Sequence, residues 1–300
     1  MPELPEVEVV RSGLAPVLTG AGIARVHVRD PRSLKRHLGP LESFIDELEG
    51  TRLDTPLRRG KFMWVPLAGQ NRALVCHLGM SGQVLLGDDT SDFGSHLRIL
   101  LELEEPRAGA SSVGFVDQRI FGSMAIDDLI DTGDAHPAGY GSDDARVPTS
   151  VAHIARDPLD PAFDVQAFSR RLRAKNTEIK RALLDQTLIS GIGNIYADEA
   201  LWATKLHYRA STASLRPARV SELVQAVQSV LRKALAEGGT SFDQQYVNVN
   251  GVSGYFSHSL NAYGRAGQAC PRCQAIMVRE AWMNRSSHRC PRCQRTPRSR

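Results

Sequence analysis

The chain has 300 residues, 42% of them hydrophobic and 23% charged, with a formal net charge of +4. That length accommodates one large domain or two ordinary ones, each with its own core. No apolar run reaches the ~18–20 residues of a membrane-spanning helix. No basic start followed by an apolar stretch marks a secretory leader. A cytoplasmic protein with no membrane partner is therefore expected.

The predicted elements begin with a helix from about Pro5 to Leu18. Proline suits a first helical turn, and Val7, Val10 and Leu14 share one face. Short β-like runs follow at Ile23–Val28, Arg52–Leu53, Lys61–Leu67, Ala73–Leu78, Gln83–Leu86, Leu97–Leu103, Val113–Val116 and Met124–Ile126. Turn residues such as Gly79-Met80-Ser81-Gly82 separate them, and that spacing predicts a β-sandwich over residues 1–130. Residues 131–158, rich in Asp, Gly, Pro and Ala, read as a linker or surface loop.

Helical periodicity takes over in a second domain, 159–264. Helices are predicted at Asp164–Ala174, at Asn176–Thr187 with Asn176 or Thr177 as cap, and at Asn194–Thr204. A long one spans Pro217–Glu237, with Val220, Leu223, Val224, Val227, Leu231 and Leu235 on its apolar side. The fold class is thus α+β, with the strand-rich and helical parts segregated. Between the last helix and the final module, Tyr246–Phe256 carries Gly251 and Gly254 and reads as a loop able to cover a ligand.

The final module, 265–300, holds four of the five cysteines, as Cys270-Pro-Arg-Cys273 and Cys290-Pro-Arg-Cys293 with sixteen residues between the pairs. Two thiolates three apart on a tight turn supply one edge of a tetrahedron, and a second such turn completes four sulfur ligands. One structural Zn2+ is expected, because four sulfurs leave no position open for substrate. Ile276–Arg279 and Ser287–Arg289 would form the ribbon between the knuckles. A disulfide pair fits poorly with a cytosolic chain. Cys76 reads as a small buried apolar residue. The module also concentrates positive charge: Arg265 to Arg300 holds nine arginines and one acid, net +8, against −4 for the remainder. A local basic cluster is the electrostatic footprint of a polyanion.

The opening Pro2-Glu3-Leu4-Pro5-Glu6-Val7-Glu8 resembles that of the formamidopyrimidine-DNA glycosylase (Fpg or MutM) family. The resemblance continues, in order, through Arg58-Arg59-Gly60-Lys61, His77-Leu78-Gly79-Met80-Ser81-Gly82, Asp117-Gln118-Arg119-Ile120-Phe121-Gly122, Gly191-Ile192-Gly193-Asn194-Ile195-Tyr196-Ala197, Gly254-Tyr255-Phe256, Ala262-Tyr263-Gly264-Arg265 and the four cysteines. It implies an N-terminal β-sandwich with its helix, a helix–two-turn–helix domain and a zinc ribbon. It implies a bifunctional glycosylase and abasic-site lyase for oxidised purines in double-stranded DNA; a monomer is expected.

Pro2, exposed by loss of Met1, would be the nucleophile. An α-amino group has a pKa near ~7.7–8.0, so a fair fraction is neutral at pH 7. A helix N-terminus just behind it further disfavours the ammonium form. By resemblance Glu3 is the proton donor, with Glu6 supporting it. Lys61 is the proton donor for β-elimination, and Arg285 is the phosphate contact and proton donor for δ-elimination. Met80, Arg119 and Phe121 match the family's intercalating trio, and an extended segment would point Arg119 and Phe121 the same way. His96, Lys180 and Asn194 are the further DNA contacts implied, with the amides of the Gly191–Asn194 turn gripping phosphates. Position 120 holds Ile where many relatives carry a basic residue. Two other readings use the same residues: an endonuclease VIII-type glycosylase for oxidised pyrimidines, and a zinc-containing DNA-binding protein without catalysis.

Overall fold

Helix α1 (Leu4–Leu18) starts where Glu3 holds an extended N-cap conformation. The Glu6 carboxylate accepts the Glu3 backbone N–H at 2.8 Å, the reciprocal arm of a capping box. Val7, Val10 and Leu14 are buried as the periodicity predicts, but so are Glu6, Glu8 and Arg11, so the helix is enclosed on more than its apolar side. The computed structural model describes residues 2–88, 90–239, 248–250 and 255–297. They form two units, one of residues 1–153 with 238–254 and the other of 154–237 with 255–300.

The N-terminal unit contains β1 (Ile23–Val28), α2 (Leu41–Leu48), β2 (Leu57–Arg59), β3 (Phe62–Pro66), β4 (Arg72–His77), β5 (Gly82–Gly87), β6 (Leu97–Arg107), β7 (Ala110–Asp117), β8 (Ser123–Asp131) and β9 (Arg146–Pro148). They make two antiparallel sheets, ordered β1-β6-β7-β5 and β2-β3-β4-β8-β9. One core joins α1 to alternate residues of both: Leu74 and Cys76, Ile99, Leu101 and Leu103, Val113 and Phe115, Met124 and Ile126. The period of two assigns these residues to the inner face of a sandwich.

Several expectations change in detail. Arg52 and Leu53 make only isolated bridges, to Gly22 and Leu67. Residues 131–158, expected as linker or loop, contribute β9, which pairs with β8 through Leu129–Asp131. Helix α2 has no counterpart among the predicted elements. It buries only Phe44 and Leu48, one turn apart, too brief a stripe to stand out in the sequence.

The C-terminal unit carries α3 (Val165–Ala174), α4 (Ile179–Leu183), α5 (Asn194–Ala203), α6 (Pro217–Ala236) and the hairpin β10 (Val278–Trp282) with β11 (Arg285–Arg289). Asp164 caps α3 through the N–H groups of Gln166 and Ala167. The helix predicted over Asn176–Thr187 shrinks to α4, because Asn176 sits at φ 44° and Glu178 is the cap. In α6 the buried stripe is Val220, Leu223, Val224, Val227, Leu231 and Ala234, so Ala234 takes the place expected for Leu235. Most of the expected covering loop 246–256 lies outside the described residues.

Candidate catalytic and nucleic-acid-binding sites

In the N-terminal unit a small pocket is lined by Pro2, Val7, Lys61, His77, Leu78 and Gly79. Two predicted catalytic residues, Pro2 and Lys61, therefore share one cavity. Glu3, the next residue, is 2% exposed. Pro2 arrives there because it immediately precedes the capped start of α1. Lys61 arrives because Gly60, at φ 57°, closes the turn between β2 and β3. Only glycine takes that left-handed conformation without cost.

Sequence reasoning misses His77, although it opens one of the shared motifs. It ends β4, and its ring lies 4.8 Å from that of Phe62 on β3. Burial first, then the positive charges of Arg36, Lys61 and Lys35, pull its pKa down to about 4. The imidazole is neutral at pH 7. Its Nδ1 accepts the Gly79 N–H at 3.2 Å, which leaves the proton on Nε2 as a donor.

The turn that carries Lys61 is held by buried charge. The Glu8 carboxylate accepts Arg11 Nη2 at 2.7 Å and Arg58 Nε at 2.8 Å. Arg58 Nη1 donates in turn to the Gly60 carbonyl at 3.1 Å, and Arg59 Nε to the Ala138 carbonyl at 2.7 Å. Glu8 is thus a counter-ion tying α1 to the Lys61 turn, and the two arginines of the motif are interior struts. Nothing in the sequence distinguishes them from arginines on a solvated loop.

Met80 and Phe121 are 39% and 41% exposed, high for large apolar side chains with a sandwich core beneath them. The Arg119 guanidinium carbon sits 4.5 Å from the centre of the Phe121 ring. The pair meets for a reason other than the one expected. The segment is a turn, not a strand, with Ile120 at φ 55°. A β-branched residue in that region costs about 1–3 kcal/mol and persists only where its surroundings impose it. His96 is exposed just before β6, and its carbonyl accepts the Asp117 N–H at 2.9 Å.

In the C-terminal unit the structure corrects the expectation for Lys180. The side chain is fully buried, with Nζ 2.6 Å from Asp198 on α5, 3.1 Å from Ser287 Oγ and 3.2 Å from the Ser286 carbonyl. It joins helix to ribbon and is not presented to a phosphate. Asp198 completes the joint by accepting the Ser287 hydroxyl and the His288 N–H. Glu199 beside it accepts the N–H groups of Asn261, Ala262 and Tyr263. Burial pushes the Glu199 carboxyl above its ordinary range against those three donors. Neither acid stands out in the sequence, where they resemble any two polar residues of a helix.

Asn194 opens α5, half-buried, and donates to the Ser286 carbonyl at 3.1 Å. The Gly191 N–H in the preceding turn is taken by Gln186 Oε1 at 2.9 Å. That turn amide is occupied within the fold. Arg285 is exposed at the start of β11 and lines an open groove with Lys175, Arg181 and Trp282. Two other ribbon arginines are structural. Arg289 pairs with Glu280 at 2.7 Å, and Arg272 stacks 4.1 Å from the Trp202 ring while donating to the Trp202 and Ala203 carbonyls.

The sulfurs of Cys270, Cys273, Cys290 and Cys293 all lie within 4.8 Å of one another, and two of the separations are 3.4 Å. A Zn–S bond of about 2.3 Å in a tetrahedron requires sulfurs roughly 3.8 Å apart, so the cluster fits a four-coordinate metal ion. Cys270 and Cys290 are buried, and the other two are half-buried.

The chain matches known proteins along most of its length. Residues 1–124 match the formamidopyrimidine-DNA glycosylase N-terminal domain, and residues 154–245 the formamidopyrimidine-DNA glycosylase H2TH domain. The chain is 59% identical over 289 residues to a formamidopyrimidine-DNA glycosylase of Leifsonia xyli subsp. xyli, covering 96% of this chain and 97% of that one. Among solved structures, a Lactococcus lactis Fpg variant bound to DNA containing Fapy-dG superposes with a TM-score of 0.82 at 28% identity, over 98% of this chain and 100% of that one. A MutM complex with DNA containing carbocyclic 8-oxo-G gives 0.80 at 29% identity, with the same coverage.

Proposed function

The chain belongs to the formamidopyrimidine-DNA glycosylase family, and from that premise we propose that it excises oxidised purines from duplex DNA and then cuts the strand. The observation that carries this is the pocket shared by Pro2, Lys61 and His77 at the start of α1. After loss of Met1 the Pro2 nitrogen attacks the sugar C1′, and the damaged base departs with its bonding pair. Glu3 protonates the ring oxygen as the sugar opens. The resulting iminium acidifies the C2′ hydrogen, whose removal expels the 3′ phosphate, and a second elimination expels the 5′ phosphate. Lys61 supplies a proton in the first elimination and Arg285 in the second. Beside Lys61, the neutral His77 offers an N–H to a phosphate oxygen. Glu6 holds the Glu3 backbone.

A base must leave the stack before its C1′ can be reached. Met80 and Phe121 fill the gap, and Arg119 hydrogen-bonds the orphaned partner base. His96 and Asn194 contact the backbone. The four cysteines hold one Zn2+, which folds the ribbon that presents Arg285 and has no part in the chemistry. The enzyme acts as a monomer in the cytoplasm.

The test is borohydride trapping of Met1-processed protein on a duplex with one 8-oxoguanine opposite cytosine. The expected result is a covalent adduct whose DNA-linked peptide begins at Pro2, together with loss of turnover but not of lesion binding in Pro2→Gly. Full activity in Pro2→Gly removes the nucleophile. Faster cleavage of a thymine glycol duplex moves the assignment to oxidised pyrimidines. Tight binding without an adduct on either lesion leaves a DNA-binding protein.

A further inference from the structure

The two exposed tips assigned to the wedge lie on separate loops, and a single buried carboxylate serves both. Asp117, fully enclosed, accepts the Ser81 hydroxyl at 2.5 Å through Oδ1. The same oxygen accepts the N–H groups of Arg119 at 3.1 Å and Ile120 at 3.0 Å, and Oδ2 accepts that of Gly122 at 2.7 Å. Ser81 follows Met80, while Arg119, Ile120 and Gly122 enclose Phe121. From the other side Lys35 Nζ donates to the carbonyls of Ile120 at 2.8 Å and Phe121 at 3.1 Å. The left-handed turn at Ile120 is therefore pinned through its amides and its carbonyls.

The backbones also interlock. A Cβ on Gly79, at φ 64°, would stand 2.4 Å from the Phe121 carbonyl carbon, and one on Gly122 would stand 2.8 Å from the His77 carbonyl oxygen. Neither loop can shift along the other.

We propose that Asp117 is a positioning residue for base eversion, locking the Met80 loop and the Arg119–Phe121 turn in one register so that both tips enter the duplex together. This rests on the wedge reading given above. Asp117 touches neither substrate nor reacting atoms. It fixes where two other groups stand. A carboxamide cannot replace the carboxylate, because either orientation of the amide turns its NH2 group toward backbone N–H donors.

The experiment follows eversion directly, by stopped-flow fluorescence of 2-aminopurine placed beside a single 8-oxoguanine in a duplex. In parallel, borohydride trapping on a single-stranded abasic oligonucleotide measures chemistry that needs no wedge. Phe121→Ala, Asp117→Asn, Ser81→Ala and Ser81→Thr are compared with wild type. Phe121→Ala should slow the fluorescence rise by removing the wedge, and Asp117→Asn should slow it by about tenfold, the scale of one lost hydrogen bond to a charged group. Ser81→Ala, which cuts only the link between the loops, should slow it less, and Ser81→Thr should restore it. Trapping on the abasic strand should stay within about twofold of wild type in Asp117→Asn, Ser81→Ala and Ser81→Thr.

Wild-type eversion in both Asp117→Asn and Ser81→Ala, with Phe121→Ala slowed, would overturn the role of Asp117 and leave the wedge standing. Equal loss in the two assays would also overturn it, reducing Asp117 to a fold-holding residue. Unchanged eversion in Phe121→Ala would remove the wedge and the proposal together.

Discussion

Arg58 donates to the Glu8 carboxylate at 2.8 Å, and the arginine side chain is only 2% exposed. A buried ion pair contributes little net stability when whole, but removing one partner strands the other and costs about 3–5 kcal/mol. Glu8→Ala is expected to lower stability by that order in urea unfolding. Because Arg58 also holds the Gly60 carbonyl, iminium trapping should fall further than duplex binding does. A fully stable Glu8→Ala protein with normal trapping would show that the pair neither supports the fold nor sets the Lys61 turn.

His77 gives a pH dependence with a definite sign. Its folded-state pKa is depressed from 6.5 to about 4 by burial and neighbouring cations. Between those values the unfolded chain binds the proton and the folded one does not, so its contribution makes stability fall as pH drops through that window. Above pH 6.5 it contributes no slope. His77→Gln should flatten the stability–pH curve between pH 6.5 and about 4. An unchanged slope would mean that the ring protonates freely in the folded protein.

Lys180 separates a structural cation from a DNA-contacting one. Its pairing with Asp198 in the interior leads us to expect that Lys180→Met loses on the order of 3 kcal/mol of stability. The salt dependence of duplex binding should not change. Each phosphate contact contributes about 0.9 to the slope of log affinity against log salt. A slope smaller by about that amount, with stability unaltered, would return Lys180 to the DNA backbone.

The cysteine cluster predicts one equivalent of bound metal, lost in Cys290→Ser. Without it the β10–β11 hairpin has little apolar core of its own, chiefly Met277 with two cysteines and Ala262. Duplex affinity should then drop by on the order of tenfold as the ribbon disorders. Equal affinity in metal-free protein would remove the ribbon from the binding surface.

What is legible in the sequence is what periodicity and spacing encode. The cysteine pairs announce a metal cluster, and the i, i+3, i+4 pattern of Val220 to Leu231 announces the buried face of α6. The N-terminal motif places Pro2 beside Lys61 across nearly sixty residues because a family resemblance carries tertiary information that one chain does not. Partners distant in sequence stay hidden. Nothing around Lys180 says that Asp198 will neutralise it, and nothing around Arg58 says that Glu8 will. The turn at Ile120 is invisible for a different reason. A β-branched residue is a poor candidate for a left-handed conformation, and it takes the Asp117 carboxylate on its amides and Lys35 on its carbonyl to make that conformation hold. Eight residues with two buried side chains are too few to reveal α2.

Residue Val249 belongs to the N-terminal core, although it follows α6 in sequence. Its carbonyl accepts the Leu86 N–H at 2.9 Å, and one of its methyl groups fills the space where a Cβ on Gly13 would fall, 2.6 Å away. Among the described residues, the last strand of that unit ends at Pro148. A chain growing from the ribosome therefore makes both sheets long before it makes the residue that plugs their core. Until then Gly13 faces a gap. The N-terminal unit can collapse early during synthesis, but it cannot finish packing until the helical segment between has been translated. A fragment ending at the last strand would carry the pocket residues in an unsealed core.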